Sequence, residues 1–475
     1  MNWARTTCRL LAAAAALAAV AACPRQPQVS SFEPPPEKRG DLGLEPADSS
    51  GLSPVAFLDE SFVVTSRELL YSAEGRMVKY AGYYGSPGRV LFLSVPFDLE
   101  RTEERAGPLY LVNAEDISEI FQLKDADLVL DVKSAAFGGF IYHKLTEQAP
   151  VAEGDQKSLV PHDPSAEYSL QAHVLQLDGT DVPLLEDNMI VADSFADGRL
   201  LAGRIVGVTP FHGHFGIGQP RGWALFSPQG EAEVEFDYKP LLSPDCKVAL
   251  DVVRHYDAED YSTSVFALYS GEPGASVSAL TLLYSCPYFI TLEEQRWNPV
   301  AVFIGPSTLL VSRFVPVSTG STAVPNTSGH LTLDRLETDT RAASVLMQVA
   351  SPHFSVLAPV NSPVFLWLSR GGPEQQFTYS LGATAVDGSK QRVLARGLSG
   401  QALQLAGIDF ASGRLLLIEQ HATGGGYSVI REFMLAESPP APPGGEEQEE
   451  SPGVEEEAAE AASGPPPITV PLKGA

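Results

Sequence analysis

Cysteine is scarce in this chain, basic residues are few, and long apolar runs are almost missing. Four cysteines in 475 residues exclude a disulfide-dense scaffold, which needs many bridges in a short chain. Lys and Arg number 32 against 59 Asp and Glu, a formal charge of −27. So acidic a chain repels nucleic acid and anionic headgroups, whose recognition needs basic patches. It suits cationic partners or divalent ions, or a plain solvated surface. The uncharged run Leu10 to Ala22 is too short for a membrane helix, which takes roughly 20 residues. Helical periodicity is almost absent between the ends of the chain. No Gly-x-Ser-x-Gly elbow, His-Glu-x-x-His pair or phosphate-binding Gly-Lys-Ser/Thr loop occurs, which argues against a serine peptidase, a zincin and a P-loop enzyme.

The first residues are informative. Arg5 and Arg9 precede the apolar run, which ends in Val20-Ala21-Ala22-Cys23. A basic start, a short apolar core and small residues before a cysteine mark a secretory leader. The motif resembles the lipobox of bacterial lipoproteins. The resemblance implies that Cys23 carries a thioether-linked diacylglycerol, that residues 1–22 are removed, and that the protein sits in the cell envelope on a lipid anchor. Pro24 at the next position implies the outer membrane. A multiply acylated cysteine holds a bilayer stably, at roughly 0.8 kcal/mol per buried CH₂. Loss of Arg5 and Arg9 takes the mature charge to −29, of which the body carries about −21.

Residues 23–52 are rich in Pro, Ser and charge and read as a flexible tether spanning roughly 30 Å. Residues 437–475 combine Pro-rich and Glu-rich blocks with a single basic residue, Lys473. They bury too little apolar surface to order, so a disordered acidic tail is expected.

Between them, 53–436 holds short runs of β-branched and aromatic residues, such as Arg89-Val-Leu-Phe-Leu-Ser-Val, Ser264-Val-Phe-Ala-Leu-Tyr and Arg414-Leu-Leu-Leu-Ile-Glu. Separated by Gly, Pro, Asp and Ser, they read as strands of an all-β domain. One unit recurs: a small or acidic turn, Gly or Cys, a basic residue, then an apolar strand. It appears as Ser72-Ala-Glu-Gly75-Arg, Phe195-Ala-Asp-Gly198-Arg, Ser243-Pro-Asp-Cys246-Lys and Phe410-Ala-Ser-Gly413-Arg, with weaker copies near Phe137, Gly305 and Pro359. Asp178-Gly179 and Asp387-Gly388 each separate two strand-like runs, as a tight hairpin turn requires. Strand, Asp-Gly, strand, Ser-Pro-Asp-Gly-Lys, strand resembles the repeat of Tol-type and prolyl-oligopeptidase-type β-propellers. The resemblance implies a single propeller. Seven blades fit the spacing best; six and eight also fit. In such rings the last blade is closed by strands from both ends of the chain, here expected at Pro54-Val-Ala-Phe-Leu and Tyr427-Ser-Val-Ile-Arg-Glu-Phe-Met.

Chemistry is sparse. Cys246 and Cys286, an even pair in an oxidising compartment, are the disulfide candidates; two buried thiols are the alternative. His212 and His214, as His-x-His on one strand face, are metal-ligand candidates for Zn²⁺ or Cu²⁺. Asp257, Glu259 and Asp260 offer alternating carboxylates without the spacing of a calcium loop. Asn326-Thr-Ser328 has the form of a glycosylation acceptor and reads as loop composition. Tyr80, Tyr83 and Tyr84 are expected in the core. No catalytic residue and no cofactor beyond the lipid on Cys23 is expected. The sequence thus leads to a binding or scaffolding lipoprotein with an envelope protein or peptide partner and no nucleic acid. The alternative is a metal-dependent envelope enzyme with its site in the channel.

Overall fold

The computed structural model describes residues 30–31 and 52–437, apart from 86–87, 115–119, 124–125, 148–166, 212–213, 258–263, 289–298, 317–328, 350, 352 and 372–377. Cys23, His212, Glu259, Asp260 and Asn326 lie outside the described residues, as do the leader, most of the tether and the tail.

The strands form seven sheets among the described residues; four are built in sequence order, and the other three each take in a strand or hairpin from elsewhere in the chain, Val208–Phe211 and His214–Ile217 joining the blade 2 sheet beside Tyr168. Blade 1 contains Arg76–Tyr83, Arg89–Pro96, Leu109–Asn113 and Ile120–Gln122. Ser30–Ser31 runs parallel to its outer edge. Blade 2 contains Val129–Ser134, Phe140–Glu147, Tyr168–Leu175 and Asp181–Pro183. Blade 3 contains Met189–Ser194, Leu200–Arg204, Trp223–Phe226 and Ala232–Phe236. Blade 4 contains Leu241–Leu242, Ala249–His255, Val265–Gly271 and Thr281–Pro287. Blade 5 contains Ala301–Phe303, Thr308–Pro316, Gly329–Glu337 and Ala343–Val349. Blade 6 contains Phe354–Leu357, Val364–Gly371, Thr378–Ala385 and Gln391–Ser399. In blade 7, Ala402–Asp409, Arg414–His421 and Tyr427–Glu437 are followed at the outer edge by Phe62–Tyr71, from the other end of the body. Seven antiparallel sheets, the last closed by a strand from the N-terminal side, make a seven-bladed β-propeller.

The second strands of blades 1, 6 and 7 show why alternation is weak in the sequence. Val364–Gly371 has six consecutive buried residues, and Arg89–Pro96 and Arg414–His421 show the same run. Both faces of these strands pack on neighbouring blades, so apolar residues are favoured at every position. Each large apolar side chain there contributes roughly 1.5–3 kcal/mol. The outer strands face water and alternate with polar residues, as in Ala343–Val349.

The recurrent turn is the link between first and second strands. Gly198 (φ 88°), Cys246 (φ 57°), Asn361 (φ 60°) and Gly413 (φ 65°) all adopt the left-handed region there. The preceding Asp stabilises the turn in blades 3 and 4: Asp197 Oδ1 accepts the N–H of Arg199 at 3.1 Å, and Asp245 Oδ1 that of Lys247 at 3.3 Å. This is the side-chain mimic of a turn that makes Asp frequent at such sites. The Ser72 copy is different. It joins the closing strand Phe62–Tyr71 to blade 1 at the opposite end, where Gly75 N–H donates to Gly426 O. In blade 1 the link from first to second strand follows Tyr83, and Gly85 (φ 73°) takes the left-handed region there. Asp178-Gly179 and Asp387-Gly388 are hairpin turns as expected, linking third and fourth strands with Gly φ of 86° and 74°.

The ring closure corrects one expectation. Pro54–Leu58 is a 3₁₀ turn, not a strand. Pro54 supplies no N–H, and Ala56, Phe57 and Leu58 are buried in succession, which a half-exposed edge strand does not allow. Phe57 meets Phe410 edge-on at 5.6 Å. The closing strand is Phe62–Tyr71, paired with Tyr427–Glu437 from Phe62↔Glu437 to Tyr71↔Val429.

Candidate functional site

The first strands line the axis of the ring. Lys79, in blade 1, donates from Nζ to the carbonyls of Leu130 (2.7 Å), Glu103 (3.0 Å) and Arg105 (3.3 Å). Burial pulls its pKa down to about 8, against the opposing pull of Asp131 and Glu103. Lys133, in blade 2, donates to the carbonyls of Val191 and, at 3.1 Å, Ala192 in blade 3. Each lysine therefore fastens its blade to the next through backbone carbonyls. The N–H of Val191 is taken by His143 Nε2 at 2.9 Å. Between blades 7 and 1 a different device operates: a Cβ on Gly407 would lie 3.1 Å from Gly82 Cα, so two glycines let the first strands touch.

The turns between first and second strands converge at one end of the axis. There a cavity of about 620 Å³ opens, walled by Ala136 of blade 2, Asp193 to Ala196 of blade 3, Leu241, Leu242, Pro244 and Asp245 of blade 4, Val302, Phe303 and Pro306 of blade 5, and Ala358, Val360 and Asn361 of blade 6. The volume is that of an ordinary ligand site. Val360 and, in the blade 2 turn, Phe137 leave 48% and 37% of their surface exposed at this end. Two carboxylates stand among the lining residues. Asp193 accepts the N–H of Ser194 at 2.8 Å, and burial holds its carboxyl above the ordinary value while Lys133 and Lys239 oppose. Burial also works against the charge of Asp245, but hydrogen bonds from Ser243 and Lys247 outweigh it and leave that carboxyl below the ordinary value.

The residues expected to carry chemistry are placed elsewhere. Cys246 and Cys286 are free, buried thiols, and the expected disulfide is not formed. Cys246 precedes strand Ala249–His255, whereas Cys286 pairs with Phe266, itself paired with Arg254 at the far end of that strand. The offset is roughly 16 Å along the strand plus two strand spacings of about 4.8 Å, beyond the 7 Å reach of a disulfide. Cys246 packs with Phe195 and Leu201, and Cys286 in a separate cluster with Phe266 and Phe314.

His214 lies on the opposite face of the ring, in a hairpin inserted between the second and third strands of blade 3. The strand Val208–Phe211 is followed by His214–Ile217, whose first residue His214 pairs back with Phe211; His212 lies outside the described residues. The His214 ring meets carboxylates: Nε2 is 3.8 Å from Asp98 and Nδ1 3.7 Å from Glu104. Asp98 is engaged by Arg105 at 2.7 Å, which holds its carboxyl below the usual range. Among the described residues no group of three His, Cys, Asp or Glu side chains is placed to hold a metal. Asp257 uses its backbone N–H to bind Ser264 Oγ at 2.9 Å. Tyr84 is buried and stacks on Phe140, with Tyr80 edge-on to the same ring, so these tyrosines belong to the core.

The ring with its converging turns has counterparts among solved structures. The β-propeller domain of the Trilobed protease from Pyrococcus furiosus, described as having an open velcro topology, aligns over 74% of this chain and 93% of its own, with TM-score 0.41 and 11% identity. TolB from Acinetobacter baumannii aligns over 64% of this chain and 63% of its own, with TM-score 0.30 and 12% identity. The tricorn protease aligns over 73% and 34%, with TM-score 0.35 and 10% identity. These likenesses concern the fold alone. No family model and no curated protein matches the chain.

Asp193 and Asp245, with the apolar residues around them, were not singled out from the sequence. A signal was present, because they flank or belong to two copies of the repeated turn. That the copies converge on one axis is a property of the closed ring.

Proposed function

We propose that this protein is a non-catalytic binding propeller of the cell envelope, lipidated at Cys23 and held at the outer membrane, which captures a protein or peptide partner at the mouth of its channel. The observation that supports this reading is the cavity of about 620 Å³ at the convergence of turns from five blades. Its walls are mostly apolar and concave, the character of a binding site rather than of a solvated turn. Val360 in its lining and Phe137, next to the lining residue Ala136, are exposed, as anchor points for a partner must be.

The test is a pull-down of the full-length protein from detergent-solubilised membranes, compared with Cys23→Ala and Val360→Asp forms. The expected result has three parts: labelled palmitate incorporated only when Cys23 is present, a reproducible partner, and loss of that partner in the Val360→Asp form. Retention of the partner by Val360→Asp and by Phe137→Asp sinks the channel-mouth reading. Absence of label in the unaltered protein sinks the lipid anchor.

A further inference from the structure

We infer that the channel mouth selects a peptide segment in which apolar side chains flank a single lysine or arginine. The inference rests on the binding function proposed above and names the class of ligand.

The wall supplies the apolar part. Leu241, Val302, Phe303, Ala358 and Val360 come from three blades and face the same cavity. Among the lining residues only Asp193 and Asp245 are charged; Lys133 and Lys239, outside the lining, act on Asp193 and offset part of its charge. An acidic segment meets repulsion there. A wholly apolar segment covers the Asp193 carboxylate and strips its water without supplying a counter-charge, which is costly. A cation on a long apolar stem solves both problems, because lysine and arginine bury their methylenes and keep the charged head on a polar group.

Both carboxylates have capacity left. Asp193 takes one backbone N–H through Oδ1. Asp245 uses Oδ1 for the Ser243 hydroxyl at 2.7 Å. Its Oδ2 has the Lys247 ammonium at 3.4 Å, on a side chain that is 81% exposed. An exposed pair of that kind contributes little, and an incoming cation displaces it. A carboxylate offers about four lone-pair sites, so each can accept a further charged donor.

The test uses the full mature chain with Cys23→Ser for solubility. Fluorescence anisotropy compares three dye-labelled peptides of pattern Gly-Leu-Val-X-Val-Leu-Gly, with X as Lys, Gln or Glu. The Lys peptide is expected to bind at least about tenfold tighter than the Gln peptide, and the Glu peptide more weakly than both. Asp193→Asn and Asp245→Asn should each remove most of the Lys preference and leave Gln-peptide binding unchanged, with the thermal transition as a check on folding. Equal affinity for Lys and Gln peptides, or a Lys preference that survives both Asn substitutions, overturns the ligand class. Loss of the pull-down partner in Val360→Asp, with no peptide bound, leaves the mouth as the binding site and rejects this ligand. Retention of the partner rejects the site itself.

Discussion

His143 Nε2 accepts the backbone N–H of Val191 at 2.9 Å, from the second strand of blade 2 to the first strand of blade 3. Lys133, also in blade 2, donates to the carbonyl of the same residue. The pairing of blade 3's first two strands slips between Val191 and Asp193. Two side chains of the neighbouring blade thus satisfy both backbone groups of Val191, as burial requires. With Nε2 accepting, the ring proton sits on Nδ1, 3.9 Å from Asp131.

That arrangement predicts acid sensitivity. His143 is fully buried, and burial, aided by Lys133, lowers its pKa to about 3. The unfolded chain takes up its proton near 6.5. Stability from this residue is therefore complete above pH 6.5 and falls as pH drops from 6.5 towards 3, by up to about 1.4 kcal/mol per unit. Urea unfolding at pH 7 and pH 5 should show this loss. The His143→Gln form, which keeps an acceptor and does not titrate, should show a shallower one. Identical pH slopes would refute the assignment.

A second prediction concerns ring closure. Glu432 is fully buried; Arg67 of the closing strand lies 2.6 Å from it, Arg414 3.5 Å, and Tyr83 of blade 1 donates to it at 3.1 Å. Removing the charge strands two guanidinium partners, so Glu432→Gln should cost about 3 kcal/mol. Arg67→Ala should cost less, because that side chain is 39% exposed and Arg414 and Tyr83 remain. Chemical denaturation gives both values; equal costs would remove Glu432 from the centre of the closure.

The repeated turn yields a third prediction. Gly198 has φ of 88°, and a Cβ there would lie 3.3 Å from Pro228. Gly198→Ala should destabilise the protein by about 1–2 kcal/mol, the cost of left-handed backbone for an L residue. A thermal midpoint unchanged in this variant would contradict the turn geometry.

The two body cysteines give a fourth. Burial pushes the Cys246 thiol up to about 12 and the Cys286 thiol up to about 11, and both are free. Maleimide should label neither in the native protein at pH 7, since the thiolate is the nucleophile. After denaturation without reductant, intact mass should show both labelled. A mass 2 Da low with no label would mean a disulfide and a different blade 4.

The fold was legible because its local signals repeat. Asp178-Gly179, Asp387-Gly388 and the turns at Gly198, Cys246 and Gly413 are set by residues next to each other in the chain, and their spacing counts blades. The Ser72 copy misled because the same local chemistry suits a turn at either end of a strand. Pro54–Leu58 misled because a run of apolar residues does not say whether it buries one face or every side.

Sequence by itself determined the all-β character and the turn chemistry, and placed most strands but not the closing one, since each depends on a few neighbouring residues. Only the tertiary structure decided that Cys246 and Cys286 stand apart, that His214 meets Asp98 and Glu104, and that Asp193 and Asp245 share an apolar mouth. The cysteines stand at opposite ends of blade 4, Asp193 and Asp245 come from consecutive blades, and His214 reaches from the blade 3 insertion to a blade 1 loop; such relations follow from strand register and blade packing, which no short run of neighbouring residues encodes.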